Sequence, residues 1–581
     1  LYNKRFLVLK HYMDHFRAKG VTQITVVYHQ GYGMVTYDID DIKFSWTSEG
    51  YGIGELPKNA PRQFANIVKF MPKQSFVGTY NRDCRILEIF TTEVNVHTVK
   101  MDVLQNAIVV PSNSTQEGWT ITQGFEYPWG GKGRCGSLLM CPSMACPLIG
   151  VHTAGIEGVC GYAEALVRET FEDPSVRVIE YVVPQMNQSD SVFTLDGDYY
   201  QLGQLKPSEV PQYSKKTKIV PSDIHGVFPV RTEPAPLDNR DPRLATKGDI
   251  LREGCSKHNF HNKPFPDDLL REAYADYERR FMLKVIPART PIQPLSVVEA
   301  IEGFAIDGYD SIKFSTSEGY PWVMQRPPGT SDKSWMFDKH QDEDGRWRVD
   351  AIYKPLYDAM EEKERLREQG IVPFTVLTTC LKDSRIPKEK VSVLGKTRVF
   401  EMSPVDLTLA GRQYFLDAEV AYNKSRFEHT IGINVDGPEW TELAQNLMNF
   451  SPFIITGDYS SYGPSLDHGV LERTFDLDFD WYERHESANP AEKERRRMIR
   501  EVIKHEVIHS PYVTRDLLWY CTSGQSCGNF RTIRNNDISN SLYIRMGYLE
   551  LAREHAPHYA DMYWFNQFVM LKTNGDDLIG A

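Results

Sequence analysis

The chain has no run of 18 consecutive apolar residues. Its best candidate, Ser137 to Val151, is broken by Pro142 and Pro147, which argues against a membrane span or a secretory signal. Cysteine is scarce: nine in 581 residues, at positions 84, 135, 141, 146, 160, 255, 380, 521 and 527. That spacing is too irregular for a disulfide framework, so reduced thiols in a cytosolic setting are expected. Basic residues are not in excess. Sixty-six Lys+Arg against 78 Asp+Glu give a net charge of -12, which excludes a simple nucleic-acid-coating protein but leaves room for a local basic channel on an acidic body. Internal repeats and low-complexity tracts are absent. The chain starts at Leu1 rather than Met, inside an expected strand, and is expected to be a piece of something longer. What is present is ordinary globular composition, 41% hydrophobic and 25% charged, over a length that suits about three to five compact units.

The pattern changes along the chain. Up to about residue 183, short β-rich runs alternate with Gly, Pro, Asn and Asp: Val21 to Tyr28, Arg85 to Phe90, Val94 to Val99, Ala107 to Val110 and Leu148 to His152. An all-β barrel or sandwich is predicted over 1–183. Residues 184–218 are polar and aperiodic and read as a linker or processing junction, with Gln185, Gln188, Gln201, Gln204 and Gln212 as junction candidates. From 219 to 581 apolar residues recur at three- and four-residue spacing in Asp267 to Phe281, Asp350 to Gln369, Pro490 to Ile508 and Ser539 to His555. Short strands interrupt them at Phe453 to Gly457 and Asp577 to Ile579, so the second half is predicted to be α+β.

Two constellations carry chemistry. In the first, Gly130-Gly-Lys-Gly-Arg-Cys135-Gly places a thiol after a glycine-rich turn, where consecutive amides can converge on an oxyanion. Gly150-Val-His152 follows and can line a substrate pocket. A base is needed: His11 stands at the end of the first strand, with His15 one helical turn away as competitor. The paired motif resembles the picornavirus-type main proteases, chymotrypsin-like double barrels with cysteine in place of serine. The resemblance implies Cys135 as nucleophile, His11 as base, an oxyanion hole from the Gly133 to Cys135 amides, and His152 recognising Gln or Glu before the scissile bond. It also implies an acid orienting the histidine. Glu49 is the choice, with Asp38, Asp40, Asp41 and Glu55 nearby. No cofactor is implied for the protease, and its first barrel is expected to be N-terminally truncated.

In the second constellation, Asn574-Gly-Asp576-Asp577 puts adjacent carboxylates at a glycine turn, and Asp458 ends another apolar strand. Carboxylates brought together from two strand ends can hold two Mg²⁺ ions for in-line phosphoryl transfer. Further segments follow in order: Ser315 to Pro321, Lys382 to Arg385, Gly395 to Arg398, the Asp458 segment, Ser523-Gly524 through Thr532 and Asn536, and the Asp576-Asp577 turn. This succession resembles the RNA-dependent RNA polymerases of picorna-like viruses, right hands of fingers, palm and thumb, over residues 219–581. The whole chain thus resembles the protease-polymerase end of an iflavirus- or dicistrovirus-like polyprotein.

That resemblance implies Mg²⁺ or Mn²⁺ on Asp458, Asp576 and Asp577. Arg385, Lys396 and Arg398 would neutralise the triphosphate, Ser315 to Gly319 would guide the template, and Ser523, Thr532 and Asn536 would help read the ribose hydroxyl. The implied partners are viral RNA template and primer, nucleoside triphosphates and polyprotein cleavage sites. The implied location is the host cytoplasm, at membrane-associated replication complexes reached through other viral proteins. Departures are Gly463 where a second Asp is common, a long gap from Ser523-Gly524 to Thr532, and Asn574 where Tyr is typical. The chain ends four residues past Asp577, so the thumb and a lysine general acid are expected to be missing.

A rival signal is His505-Glu506-Val-Ile-His509, the pattern of a zinc metallopeptidase on a helix. A second rival is a non-catalytic RNA-binding scaffold derived from such a polyprotein.

Overall fold

The computed structural model describes residues 1, 4–27, 34–57, 60, 67–72, 82–90, 93–112, 117–142, 144, 146–171, 180–181, 200–258, 265–521 and 523–581. The chain divides into two compact units, Leu1–Met186 and Asn187–Ala581. The expected junction straddles that division, and its first part, 184–199 with Gln185 and Gln188, lies outside the described residues. Its second part corrects the linker reading. Tyr200–Gln204 is a strand antiparallel to Leu517–Tyr520, at the edge of a five-stranded sheet. An edge strand needs only one apolar face, so a polar composition hid it.

The first unit is built from antiparallel strands. β1 (Arg5–Leu9) is followed by the pair β2 (Gln23–Val27) and β3 (Met34–Asp38). β4 (Lys43–Trp46) and β5 (Tyr51–Glu55) join β1 in the order β1-β5-β4. The strand expected over Val21 to Tyr28 is β2, and Tyr28 lies outside the described residues. A larger sheet uses β6 (Asp83–Ile89), β7 (Val94–Lys100) and β8 (Asp102–Val103), while β9 (Ile108–Val110) and β10 (Trp119–Ile121) pair apart from it. With β11 (Gly124–Tyr127), β12 (Leu138–Met140), β13 (Leu148–Ile156) and β14 (Cys160–Ala165), the larger sheet runs β7-β6-β12-β13-β14-β11-β8. In β6 the alternate residues Cys84 and Ile86 point inward, whereas β13 is buried from Leu148 to Thr153 because both its faces are covered. The all-β expectation needs amending at two places: α1 (Lys10–Ala18), which buries His11 and Met13, and a short helix at Arg168–Phe171.

In the second unit the core gathers around helices Asp267–Lys284, Val405–Ser425, His468–His485, Pro490–Ile508 and Thr532–His555. The 405–425 helix is buried nearly all round, including Leu407, Phe415 and Ala418, as suits a central element. Charges inside this core are paired. Asp478 accepts from both Arg531 and Arg534, and Arg545 is held by Glu428 and Asp276. Two expected helices have different starts. The one predicted from Asp350 begins at Lys354, because Trp347–Ile352 is a strand paired with Phe337–Gln341, and the one predicted from Ser539 begins at Thr532. A three-stranded sheet places Ile455–Gly457, Asp577–Gly580 and Leu571–Asn574 side by side in that order. No helix among the described residues is long and apolar enough to cross a membrane.

Candidate active sites

In the first unit β1 delivers His11 to the second position of α1, where it is 7% exposed and stacks flat on Trp119 at 5.0 Å. Burial pushes its pKa down to about 4, with Asp14 opposing. The next side chain, Tyr12, donates its hydroxyl to the Cys135 carbonyl at 2.9 Å, which ties α1 to the nucleophile turn. Gly133 and Gly136 on either side of Cys135 have φ of +77° and +97°, a region that favours glycine and curls the chain around the thiol. Burial raises the Cys135 thiol to about 11, its own amide opposing, and Sγ rests 3.4 Å from the Thr153 carbonyl. Thiol and imidazole are therefore both neutral at pH 7, and among the described residues they are not yet hydrogen-bonded to one another.

His152 is 1% exposed, and its Nδ1 meets the Tyr127 hydroxyl at 2.7 Å, with Trp129 edge-on at 5.4 Å. Burial, then Arg134, lower its pKa to about 4, opposed by Glu88. When the Tyr127 hydroxyl donates to Nδ1, Nε2 carries the proton, which makes a neutral donor suited to an amide carbonyl. Glu49 is exposed, and its Oε2 accepts from the Thr120 amide at 2.8 Å, beside the Trp119 on which His11 stacks. It does not bond His11, whose Nδ1 has no hydrogen-bond partner among the described residues. Beside Glu49 lies a residue with no sequence signal, the buried Glu164. Burial raises its carboxyl to about 7, the Ser48 hydroxyl opposing and Glu49 adding to the rise.

Two neutral buried histidines make this unit acid-sensitive. His11 and His152 titrate near 6.5 when unfolded and near 4 when folded, so the unfolded chain binds more protons between those values. Stability is full above pH 6.5 and falls as the pH drops through 4, by on the order of 3 kcal/mol at most for each group. Thermal melts of the His152→Gln variant across pH 7 to 4 should lose part of that slope; an unchanged slope would contradict the assignment.

In the second unit Gly457 is the register partner of Leu578, so Asp458, the next residue, emerges at the same end of the sheet as Asp577. Asn574 pairs with Asp577 around the Gly575-Asp576 turn, and Gly575 has φ of +67°. Burial raises the Asp577 pKa, and the neighbouring Asp576 and Asp458 carboxylates raise it further. Three carboxylates that repel one another suit a divalent ion. Among the described residues no three metal-binding side chains already close around an ion position, so the aspartates converge without being clamped. The structure adds a residue that sequence did not single out: Asn540, inside the 532–555 helix. Its Nδ2 donates to the carbonyls of Gly575, Asp576 and Asp577 at 3.1, 3.2 and 3.2 Å, and its Oδ1 accepts from Tyr459, the neighbour of Asp458. One helix turn earlier, Asp537 accepts from the Gly575 amide at 2.7 Å, its carboxyl raised to about 7 by burial.

Arg385, Lys396 and Arg398 are exposed. Thr532 donates to carbonyls at 526, 527 or 529, and Asn536 accepts from Gln525 at 2.8 Å, so both are engaged in holding the turn before the helix. Ser523 is 1% exposed, and its hydroxyl lies 3.5 Å from the Pro464 carbonyl. Ser315, Thr316 and Ser317 line a cavity of about 1660 Å³ together with Lys333, Arg412 and Gly528. Burial lowers the Lys333 pKa to about 8.

The zinc pattern is a false signal. Glu506 is fully buried, bound by Arg367 Nε at 2.6 Å and by Thr375 at 2.6 Å, so it cannot act as a base between His505 and His509, whose rings pack against each other at 5.4 Å.

Residues 220–581 match the viral RNA-dependent RNA polymerase family. The genome polyprotein of Deformed wing virus is 32% identical across the whole of this chain, which spans 20% of that polyprotein. The replicase polyprotein of Drosophila C virus is 27% identical over 77% of this chain and 26% of its own length. The Sicinivirus 3Dpol RNA-dependent RNA polymerase is similar over 66% of this chain and 72% of its own, with a TM-score of 0.48 and 22% identity. The chain belongs to the viral RNA-dependent RNA polymerases, with homologues among picorna-like virus polyproteins.

Proposed function

We propose that the chain is a replicase segment with two catalytic centres, a Mg²⁺- or Mn²⁺-dependent RNA-templated polymerase and a cysteine endopeptidase. The observation that carries the polymerase centre is the convergence of Asp458, Asp576 and Asp577 at one end of the three-stranded sheet, held from behind by Asn540. Two divalent ions there would supply an activated primer hydroxyl and a stabilised pyrophosphate. The chain's own residues position them: Asn540 fixes the turn, and the exposed Arg385, Lys396 and Arg398 receive the triphosphate. The hydroxyl-lined cavity by Ser315 to Ser317 accepts the template strand.

For the endopeptidase, His11 acts as general base on the neutral Cys135 thiol and the amides from Gly133 to Cys135 receive the oxyanion. His152, kept neutral beside Tyr127, donates to a Gln side chain of the substrate. The setting is the host cytoplasm, where other viral proteins supply the membrane contact.

The polymerase centre is tested by single-nucleotide extension of an RNA primer on a defined template. Addition of only the templated ribonucleotide, lost when template is omitted or the divalent ion chelated, is the expected result. Synthesis that persists under excess chelator would contradict the metal assignment, and template binding without any synthesis would favour a scaffold.

A further inference from the structure

The imidazole of His11 lacks the acid that usually supports a histidine base. Its Nδ1 is buried and, among the described residues, has no hydrogen-bond partner. Burial disfavours the charged ring, and Asp14, one turn along α1, opposes that only in part. Asp14 is itself bound by Lys10 at 3.3 Å, and charges on His11 and His152 disfavour one another. Glu49 is engaged with the Thr120 amide at 2.8 Å. What does contact the ring is Trp119. The two rings are parallel to within 1° with centroids 5.0 Å apart, an offset stack, and Tyr12 closes an edge at 4.7 Å.

Trp119 is held from both sides. Two residues before it, Glu117 binds Lys10, the neighbour of His11, at 2.8 Å; one residue after it, Thr120 is fixed by Glu49. The indole is 6% exposed, and its N–H finds no acceptor among the described residues, although a buried tryptophan usually pairs that group. The face of the ring, not its polar edge, therefore makes the contact. An indole face is electronegative and attracts a cation seated over it, more strongly where water is excluded. During the reaction the S–H bond of Cys135 breaks, the proton passes to His11, the thiolate pair attacks the scissile carbonyl, and His11 later returns the proton to the leaving amine. The transient cation thus forms against the indole. We propose that Trp119 is a positioning residue that stands in for an acidic third member, fixing the His11 ring by stacking and stabilising its imidazolium through the indole face. The proposal rests on the reading of Cys135 and His11 as nucleophile and base.

The test is cleavage in trans of the Cys135→Ala chain by the active chain, both with flanking polyprotein sequence retained. Beside it, alkylation of Cys135 by iodoacetamide at pH 7 is followed by mass spectrometry of the peptide that holds it. Trp119→Leu keeps an apolar cover without a π face. It is expected to lower kcat about tenfold with KM within about twofold, and to slow alkylation by a similar factor. Trp119→Phe and Trp119→Tyr should recover most of both rates. Fluorinated tryptophan placed at 119 keeps the shape and weakens the face, so both rates should fall as fluorines are added, whether or not the leucine variant folds. A fluorinated ring that performs like the native one overturns the proposal. So does a Trp119→Leu variant with raised KM and unchanged kcat and alkylation, which would make Trp119 a substrate contact, or one alkylated faster, which would make it a cover alone. If His11→Ala cleaves as fast as the native chain, the reading of the base itself fails.

Discussion

Asp576→Asn is expected to cut nucleotide addition by at least about 10³-fold, equivalent to about 4 kcal/mol of transition-state stabilisation, while leaving RNA affinity within a few fold. The substitution preserves size and the turn, because Asn540 and Asp537 hold the backbone carbonyls and amide of 575–577 and not the Asp576 side chain. What it removes is one of three mutually repelling carboxylates. With less negative charge the site holds its ions less tightly, and the developing charge on the leaving pyrophosphate goes unmatched. RNA affinity is expected to survive because the cavity proposed to take the template, lined by Ser315 to Ser317, Lys333 and Arg412, does not include the aspartate turn. Primer extension with equal amounts of bound RNA is the check. A variant that retains more than about a tenth of the rate would place the ions elsewhere.

Cys135→Ala is expected to abolish self-cleavage, a loss of at least about 10³-fold, because in the proposed endopeptidase the thiol would form the acyl bond. The neutral thiol and neutral imidazole mean that no thiolate waits in the resting site, so the proton must pass to His11 as the substrate arrives. Intact-mass measurement of the chain beside the variant locates the cut. Gln201 and Gln204 are paired with Trp519 and Leu517 in a sheet and cannot enter a cleft as free extended chain, so cleavage is expected after Gln185, Gln188 or the exposed Gln212. A cut that persists without Cys135 would remove the endopeptidase assignment.

The carboxylate pair at the Asp576-Asp577 turn was legible because adjacent aspartates at a glycine turn are costly unless used, a local signal that needs no tertiary knowledge. Asn540 was not legible: an asparagine 35 to 37 residues before the turn it holds looks like any polar residue on a helix. The same distance problem produced the opposite error at 505–509. There the motif was local and complete, but the partner that decides the role of Glu506 is Arg367, 139 residues away. Strand 200–204 was missed because its partner is also remote. His11 was expected at a strand end and lies one residue into the helix that follows β1, while the acid to orient it stayed ambiguous among five candidates. The structure sets Glu49 on the Thr120 amide and reveals Glu164 behind it. Ser523 followed a familiar Ser-Gly pair; what the sequence did not announce is Gly528, five residues later, which packs flat on the strand Val399–Met402, where a Cβ would sit 2.2 Å from the Glu401 carbonyl.

The reading of the second unit stands most directly on ion binding. Electron paramagnetic resonance titration of Mn²⁺ into the chain, beside its Asp458→Asn/Asp576→Asn variant, measures that without requiring turnover. Saturable Mn²⁺ binding that is weakened at least about tenfold in the double variant, with the fold unchanged by circular dichroism, is what the converging carboxylates require. Equal binding by both proteins would contradict it.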